Sequence, residues 1–383
     1  MVEKLFAHRI PDPLPIGIYN PKDVVFLLKN LNGLLVETDL HTREEYIQSG
    51  GHYSEMLPIE YKPTKEYLDL FHLTLRESAV KLAWLVGVVA ERILKRNGPK
   101  TVLVSLARAG TPIGVLIKRY LLEIHDLDLP HYSISIIRGK GIDENAILYI
   151  LQNHPASKIQ FIDGWTGKGA ITNELIQACA KFEAKYSCTL DSDLAVLADP
   201  GYCVKTFGTR EDFLIPSACL NSTVSGLVSR TVFRPDLIGE HDFHGARYYQ
   251  ELQNEEVSNL FVDTISAKFK LIRPQHAGSN AYEDRVNDQV DDKVDNQFEV
   301  TWQGLKALER VKKTFGIKDI NLIKPGVGET TRVLLRRLPE RILVDHLENP
   351  NLKHVLLLAK EKGVPVEEYP GLTYSCCGLV KQI

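Results

Sequence analysis

Apolar residues recur along the chain with two different spacings. Between residues 66 and 95 they return every three to four positions, the spacing of one face of a helix, and Asn97-Gly98-Pro99 ends the run. Residues 101–106 are instead almost entirely apolar or β-branched, as expected of a strand buried on both faces of a parallel sheet. Strand-like and helix-like segments then alternate as far as residue 200. This pattern predicts a long helix followed by a doubly wound, mainly parallel α/β fold.

The rest of the chain divides at an acidic stretch. Residues 200–270 are rich in turn signals and are predicted to complete the first unit. From Arg273 to about Phe298 the periodicity vanishes. Between Tyr282 and Glu299 seven Asp or Glu stand against two Lys or Arg, which is the composition of a linker. Beyond it a second, smaller α/β unit is predicted, with helices over 302–315, 328–338 and 349–363 and strands over 318–324, 341–346 and 365–369. The predicted domains are residues 1–270 (an N-terminal extension and helix over 1–100 and the α/β core over 101–200), a linker over 271–300 and a C-terminal domain over 301–383.

The composition indicates in which cellular compartment the protein works and which classes of partner it binds. The 383 residues carry 46 Lys or Arg and 49 Asp or Glu, a net charge of −3, so a nucleic-acid site has to be local rather than a property of the whole surface. The six cysteines show neither a disulfide framework nor metal-ligand spacing, which favours a reducing compartment, and a cytoplasmic protein is expected. No stretch approaches the ~20 apolar residues of a membrane span, so no membrane partner is expected.

A glycine-rich segment follows the strand predicted over residues 158–163. Asp163 closes the strand, and Gly164-Trp165-Thr166-Gly167-Lys168-Gly169-Ala170 leads into a helix. Free backbone N–H groups and the helix dipole favour a phosphate at such a turn, and an acid lies beside it. The other interpretation is that the glycines only tighten the turn between strand and helix. The spacing is that of neither a Walker A loop nor a dinucleotide fingerprint.

Two further strands are followed by cationic loops. Ala107-Arg108-Ala109-Gly110 comes after residues 101–106, and Arg138-Gly139-Lys140-Gly141 comes after residues 131–137. Ligands of doubly wound sheets bind at the carboxyl ends of the strands, so the three loops are predicted to converge at one edge of the sheet. The backbone amides and the guanidinium of the loop after residues 101–106 are predicted to bind a second anion, such as pyrophosphate. Each arginine taken alone also fits a solvated loop residue.

The C-terminal unit carries a basic segment at the start of a predicted helix. From Lys324 to Arg341 there are five Lys or Arg and two Asp or Glu, a local net charge of +3 that suits an RNA backbone. The alternative is a capped surface helix with a solvated basic face. The residues predicted to contact RNA are Lys324, Gly326, Gly328, Glu329, Thr330, Arg332 and Arg336.

These segments resemble known families. The first unit resembles the type I phosphoribosyltransferase fold, and the second resembles a Pelota-type RNA-binding domain, in which a Gly-x-Asn-Glu string docks on bent RNA; here Gly328 stands where that string has Asn. More closely, residues 20–265 are similar to the bacterial StiP family, which is associated with stress-response and tellurium-resistance gene clusters. The strings that carry this similarity are HYSEM, VSLARAGTP, HYSISIIRGKGID, FIDGWTGKGAI, TREDFLIPSACLNSTVSGLVSRTV and FHGARYY.

The phosphoribosyltransferase resemblance implies a reaction and a role for each loop. It implies displacement at the anomeric carbon of phosphoribosyl pyrophosphate, with pyrophosphate leaving as its magnesium complex, so Mg²⁺ is expected to arrive with the substrate. Asp163 would contact the ribose hydroxyls, and Gly164 stands where that family has a second acid. Arg108 with Arg138 or Lys140 would bind pyrophosphate. The 5-phosphate would be held by Thr166, Gly167, Lys168 and Gly169, and the loops would be completed by Ala107, Ala109, Gly110, Trp165 and Ala170.

Two other functions stay open. One is a non-catalytic sensor that binds a phosphorylated ribose and signals through RNA. The other is a cysteine protease, a name that the StiP family carries; it needs a thiolate paired with a histidine, and Cys203 or Cys219 with His244 is the candidate pair. No cysteine lies in a known nucleophile motif. His241 and His244 lack a third ligand, so no metal site of the chain's own is predicted. Association of identical chains is also left open.

Overall fold

The computed structural model describes residues 9–39, 42, 45–46, 49–60, 62–272, 299–337 and 339–381, and for Tyr67 and Arg336 the backbone alone. Over these residues helices run as α1 (Lys65–Asn97), α2 (Thr111–His125), α3 (Glu144–Asn153), α4 (Ala170–Tyr186), α5 (Ser258–Ser266), α6 (Phe269–Ile272), α7 (Gln303–Thr314), α8 (Val327–Arg336) and α9 (Lys353–Glu361). Strands run as β1 (Val25–Phe26), β2 (Lys29–Asn30), β3 (Glu37–Thr38), β4 (Leu57–Pro58), β5 (Thr101–Ala107), β6 (His131–Ile137), β7 (Gly141–Ile142), β8 (Lys158–Trp165), β9 (Leu194–Ala198), β10 (Phe207–Thr209), β11 (Gly245–Ala246), β12 (Ile323–Pro325), β13 (Pro339–Val344), β14 (Val366–Glu368) and β15 (Cys376–Val380).

A seven-stranded sheet forms the centre of the first unit in the described part of the chain. Its parallel strands lie in the order β1-β6-β5-β8-β9-β10, and β7 pairs antiparallel with β6. Helices α1 and α2 pack on the face that carries Leu103, and α3 and α4 pack on the face that carries Val102 and Val104, because successive side chains of a strand point to opposite faces. The predicted α/β fold with a mainly parallel sheet is confirmed.

A smaller mixed sheet forms the C-terminal region, in the order β12-β15-β13-β14. Its second strand, β15, pairs antiparallel with both β12 and β13, and β13 pairs parallel with β14. The strand predicted over residues 318–324 is wrong for most of its length. Residues Ile320–Leu322 form a 3-10 turn capped by Asp319, whose side chain accepts the N–H of Asn321 at 2.8 Å, and the strand begins only at Ile323.

The predicted linker over 271–300 falls almost entirely on residues 273–298, which lie outside the described part of the chain, so the domain boundaries stay predictions. Among the helices that the structure describes, none combines the length and the apolar character needed to cross a membrane.

The C-terminal region packs on the first unit through a buried carboxylate. Asp212 is 4% exposed, and its two carboxylate oxygens accept the N–H groups of Val327 at 3.0 Å and Ser375 at 2.9 Å. The Ser375 hydroxyl also donates to the backbone carbonyl of Asp212 at 3.0 Å. Gly326, with φ of +86°, lies against the Trp165 ring so closely that a Cβ there would be 2.5 Å from Trp165 Cζ2. The start of α8 is therefore held at the edge of the sheet where β8 ends.

Candidate anion-binding site

A cavity of about 400 Å³ lies at the carboxyl ends of β5, β6 and β8. Residues of all three predicted loops line it, namely Arg108, Ala109, Arg138 and the run from Asp163 to Ala170. The opposite wall comes from the C-terminal region and contains Lys324, Gly328, Glu329 and Arg332. The structure thus brings the predicted phosphate loops and four of the predicted RNA-contacting residues to one site.

The loop between β8 and α4 is anchored at its start and open in its middle. The Thr166 N–H donates to the carbonyl of Ala198 on β9 at 3.1 Å, which fixes the loop to the sheet. Gly169 adopts φ of +74° just before the helix, a conformation that glycine reaches at little cost. Within the described part of the chain, the N–H groups of Gly167, Lys168 and Gly169 have no hydrogen-bond partner. Three backbone donors next to a helix N-terminus favour an anion.

Asp163 is the acid beside this loop. One of its carboxylate oxygens accepts the N–H of Gly164 at 2.7 Å. Burial raises the pKa of Asp163 to about 7, against the opposing effects of this N–H and the nearby positive charge of Arg332. Near neutral pH the carboxyl group therefore titrates, and it can accept or donate a hydrogen bond to a ligand hydroxyl.

Three cationic side chains line the cavity, those of Arg138, Lys168 and Lys324. We call them the cationic cluster. Lys168 Nζ donates to the carbonyl of Ile320 and to Asn321 Oδ1, both at 3.2 Å, and Arg138 Nη2 donates to the same Oδ1 at 3.4 Å. Burial, followed by the charges of Lys324 and Arg138, lowers the pKa of Lys168 to about 8. Within the described residues no carboxylate forms an ion pair with any of the three. The nearby carboxylates of Glu329 and Asp319 offset part of the positive charge of Lys168 and Lys324, and the remainder is left for a ligand.

Arg108 is held in place by a buried acid from a distant segment. Its Nη1 lies 3.3 Å from a carboxylate oxygen of Glu60 and donates to the carbonyl of Val228 at 3.3 Å. Burial alone would raise the pKa of Glu60, but Arg108 and the N–H of Ser222 hold it below its usual value. The peptide bond between Ala107 and Arg108 is cis. Arg108 is thus a fixed rather than a solvated side chain.

Other residues predicted for the phosphate loops lie elsewhere. Lys140 lines a separate pocket and faces Glu55, with Nζ 3.9 Å from Oε1. Ala107 and Gly110 do not belong to the cavity lining. Gly110 instead lets the loop after β5 approach β8, because a Cβ there would overlap the carbonyl oxygen of Ile162. Of the two residues predicted for this loop, Arg138 lines the cavity and Lys140 does not.

The residues predicted for RNA contact lie mostly at the junction between the two regions. Gly326 packs on Trp165, and Thr330 is fully buried with its hydroxyl donating to the carbonyl of Lys324 at 3.3 Å. Arg332 Nε donates to the carbonyl of Ala218 at 2.8 Å, and its Nη1 pairs with Glu329 at 3.0 Å. The side chain of Arg336 lies outside what the structure describes.

Several supporting residues have no local signal in the sequence. Glu60 and Asn321 contact site residues that are far away along the chain, and so do His52 and Tyr53 of the HYSEM string. Tyr53 Oη accepts the N–H of Arg138 at 2.8 Å, and His52 Nε2 lies 3.0 Å from the Arg138 carbonyl. These two side chains therefore set the position of the loop that carries Arg138.

Five of the six cysteines have raised pKa values, so none of these five is an activated thiol. Burial raises the pKa of Cys179 and of Cys203 to about 12, and it also raises the pKa values of Cys188, Cys376 and Cys377. The Cys203 thiol donates to the carbonyl of Gly167 at 3.2 Å, whereas the His244 ring bonds the Ser135 hydroxyl at 2.9 Å. Cys203 and His244 are therefore engaged with different partners. Cys219 is fully buried. No group of three or more His, Cys, Asp or Glu in the described residues is placed to hold a metal.

Native protein exposed to iodoacetamide near neutral pH is expected to react at least about tenfold more slowly than free cysteine, because a thiol with a raised pKa holds little thiolate. Cys188 is half-buried and is expected to react first. Mass spectrometry of the alkylated peptides measures this, and protein unfolded in urea, in which all six cysteines are reachable, is the control. Rapid labelling of one native cysteine would contradict the prediction and point to a nucleophile.

Comparison with known proteins gives the family. Residues 17–266 match the family model described as "Tellurite-like stress resistance cysteine protease StiP", and residues 302–382 match the model of the PELOTA RNA-binding domain. A protein of Acinetobacter baylyi named "Cysteine protease StiP" is 32% identical over 360 residues, which are 92% of this chain and 90% of that protein.

Proposed function

The chain belongs to the StiP family and carries a Pelota-type RNA-binding domain, and we propose that its cavity binds phosphoribosyl pyrophosphate or a related phosphorylated ribose. The phosphoribosyl group is transferred to a base or nucleoside-like acceptor, which bonds to the anomeric carbon as pyrophosphate leaves. One observation carries the proposal: loops from the ends of three parallel strands bring Arg108, Arg138 and Lys168 to a single cavity whose one loop acid is Asp163. The family is named for stress resistance and for cysteine protease activity; the proposal concerns the chemistry of this site.

Each part of the ligand has a matching group. Unpaired N–H groups of the loop after β8 suit a phosphate, and the cationic cluster and Arg108 suit a pyrophosphate. Asp163 suits the ribose hydroxyls, because an ionised carboxylate accepts hydrogen bonds from both. As the bond from the anomeric carbon to pyrophosphate breaks, positive charge grows on the ribose and negative charge on the leaving group. The fixed cations and Asp163 oppose these charges in place, which is the main source of rate in such a reaction.

Magnesium fits this site as a companion of the ligand rather than as a resident ion. The cavity lining has two carboxylates, Asp163 and Glu329, and Glu329 is already paired with Arg332. Mg²⁺ typically keeps several waters and takes its other ligands from one or two carboxylates and substrate phosphates. When bound, it supplies charge neutralisation to the departing pyrophosphate.

Calorimetric titration of the magnesium complex of phosphoribosyl pyrophosphate tests the proposal. Wild-type protein is expected to bind saturably, and Lys168→Ala and Asp163→Asn are expected to weaken binding at least tenfold, since each removes a charge-assisted contact worth about 1.5–3 kcal/mol. Lys181→Ala, at an exposed position of α4 outside the cavity, is the matched control. An absence of binding by the wild type would reject the proposal.

Two further assays on the wild-type protein distinguish the proposed function from its two rivals. A sensor binds the ligand without turnover, so pyrophosphate release that depends on an added acceptor identifies an enzyme. A cysteine protease, the activity in the name of the family and of the Acinetobacter baylyi relative, would be inactivated by thiol alkylation. Ligand binding that survives alkylation would favour the phosphoribosyl proposal.

A further inference from the structure

We infer that the C-terminal region is part of the ligand site, and that Lys324 binds the same anionic group as Lys168 and Arg138. The inference rests on the proposed function in one respect, namely that the ligand carries a phosphate or pyrophosphate. It assigns to a residue of the Pelota-type domain a contact with the small ligand of the other domain.

The first support is the position of Lys324 in the cavity wall. Lys324 and Arg332 line the cavity together with the β8–α4 loop. The backbone of Lys324 is fixed, since it pairs with Gly378 in the antiparallel ladder of β12 and β15 and its carbonyl accepts the Thr330 hydroxyl. Gly326, two residues on, is wedged against Trp165. The strand therefore holds Lys324 at the site by three separate constraints.

The second support is the charge balance of the cationic cluster. Two lysines and an arginine approach one another closely enough for Lys324 and Arg138 each to lower the pKa of Lys168. Burial lowers the pKa of Lys324 against the opposing charge of Glu329, and Arg337 and Arg138 lower it further. Like charges in a half-buried site repel, and within the described residues the carbonyl of Ile320 and the amide of Asn321 are the acceptors that this cluster uses. Neutral oxygens cancel none of this charge, and the nearby carboxylates of Glu329 and Asp319 offset only part of it. An anion between the three side chains cancels it.

The third support is that the contact spans both regions. Lys168 belongs to the first unit, but its ammonium binds the C-terminal residues Ile320 and Asn321. Arg138, also of the first unit, reaches the same asparagine. A phosphate seated among these side chains contacts both regions at once. Binding of the ligand is therefore expected to strengthen the docking of the C-terminal domain.

Titration of magnesium pyrophosphate and of magnesium phosphoribosyl pyrophosphate into the full chain tests the inference. Lys324→Gln is expected to weaken binding of both at least tenfold, whereas Lys353→Gln, an exposed lysine of the same region outside the cavity lining, is expected to leave it unchanged. Lys324→Arg keeps the charge and is expected to retain most of the affinity. Thermal unfolding without ligand is the second readout, because removal of a repelling charge is expected to raise the midpoint of Lys324→Gln or leave it unchanged, whereas a structural role would lower it.

The outcomes separate this inference from the proposed function. Wild-type binding that Lys324→Gln leaves unchanged would overturn the inference and leave the phosphoribosyl proposal standing. Pyrophosphate binding that depends on Lys324, without binding of phosphoribosyl pyrophosphate, would support the inference and reject the proposal that the ligand contains ribose. Absence of binding of either compound to the wild type would overturn both.

Discussion

Gly201→Ala is expected to lower the free energy of unfolding by about 3 kcal/mol and to abolish ligand binding. A Cβ on Gly201 would overlap the carbonyl oxygen of Gly167, in the middle of the β8–α4 loop, and would lie 2.8 Å from its carbonyl carbon and 2.9 Å from Cys203 Sγ. Because the obstacle is backbone, no change of rotamer relieves it, and the loop has to move. Urea denaturation measures the stability, and calorimetric titration of magnesium phosphoribosyl pyrophosphate measures the binding.

Gly164→Ala is the matched control, since it adds the same methyl group to a neighbouring glycine of the site. The nearest atoms to a Cβ there are Ile113 Cγ1 at 3.5 Å and the Ala109 carbonyl oxygen at 3.7 Å, which are ordinary contacts. This variant is expected to unfold within about 1 kcal/mol of the wild type. Equal stability and affinity of Gly201→Ala and Gly164→Ala would show that the close approach of the two backbone segments is not needed.

Asp212→Ala is expected to lower the free energy of unfolding by about 3 kcal/mol and to split thermal unfolding into two transitions. The substitution leaves two buried donors, the N–H groups of Val327 and Ser375, without an acceptor, at about 1–3 kcal/mol for each. Both donors belong to the C-terminal region, so the loss falls on its docking. Differential scanning calorimetry is the measurement. The control is Glu211→Ala, which removes an exposed acid that bonds Asn351 and Lys81 and is expected to change stability by less than about 1 kcal/mol.

The same carboxylate has a pH dependence of definite sign. Burial raises the pKa of Asp212 to about 7 in the folded protein, whereas an unfolded Asp titrates near 3.9. The part of its contribution that is linked to protonation is therefore fully present below about pH 4 and is lost as the pH rises through 7, with a slope of about −1.4 kcal/mol per pH unit between these values. The wild type is expected to lose stability more steeply than Asp212→Ala between pH 5 and 7. Parallel pH profiles of the two proteins, or a single thermal transition in the variant, would contradict this account.

The sequence predicted the central sheet well because its strands are buried on both faces. Strands β5 and β8 end at Ala107 and Trp165, each within two residues of the end that its apolar run predicted. The C-terminal sheet was harder to predict. Strand β12 has three residues and includes Pro325, and β15 is a short stretch with a glycine at its centre, Gly378. Neither is long enough for a period of two to stand out.

The site was predicted where its residues follow a strand and missed where they come from elsewhere. Asp163 lies near the end of β8 and Lys168 follows the strand, so topology alone places them at the carboxyl edge of the sheet. Glu60 and Asn321 reach Arg108 and Lys168 from segments separated by 48 and 153 residues, and no local pattern predicts such contacts. The same limit explains why the position of the basic segment of the C-terminal unit was not predicted. Its charge predicted a ligand with phosphates, but only tertiary packing turns Lys324 toward the cavity of the other domain.

Tryptophan rings pack on glycines at the junction between the two regions, and this makes the protein's fluorescence sensitive to that junction. Trp165 lies between Gly167 and Gly326, and the ring of Trp302 lies against Gly169, whereas Trp84 lies on α1. These are the chain's three tryptophans, so two of the three indoles are sandwiched where the domains meet. Separation of the domains would transfer both rings to water and move their emission to longer wavelength. Intrinsic fluorescence would therefore report a separation of the two domains without any attached dye.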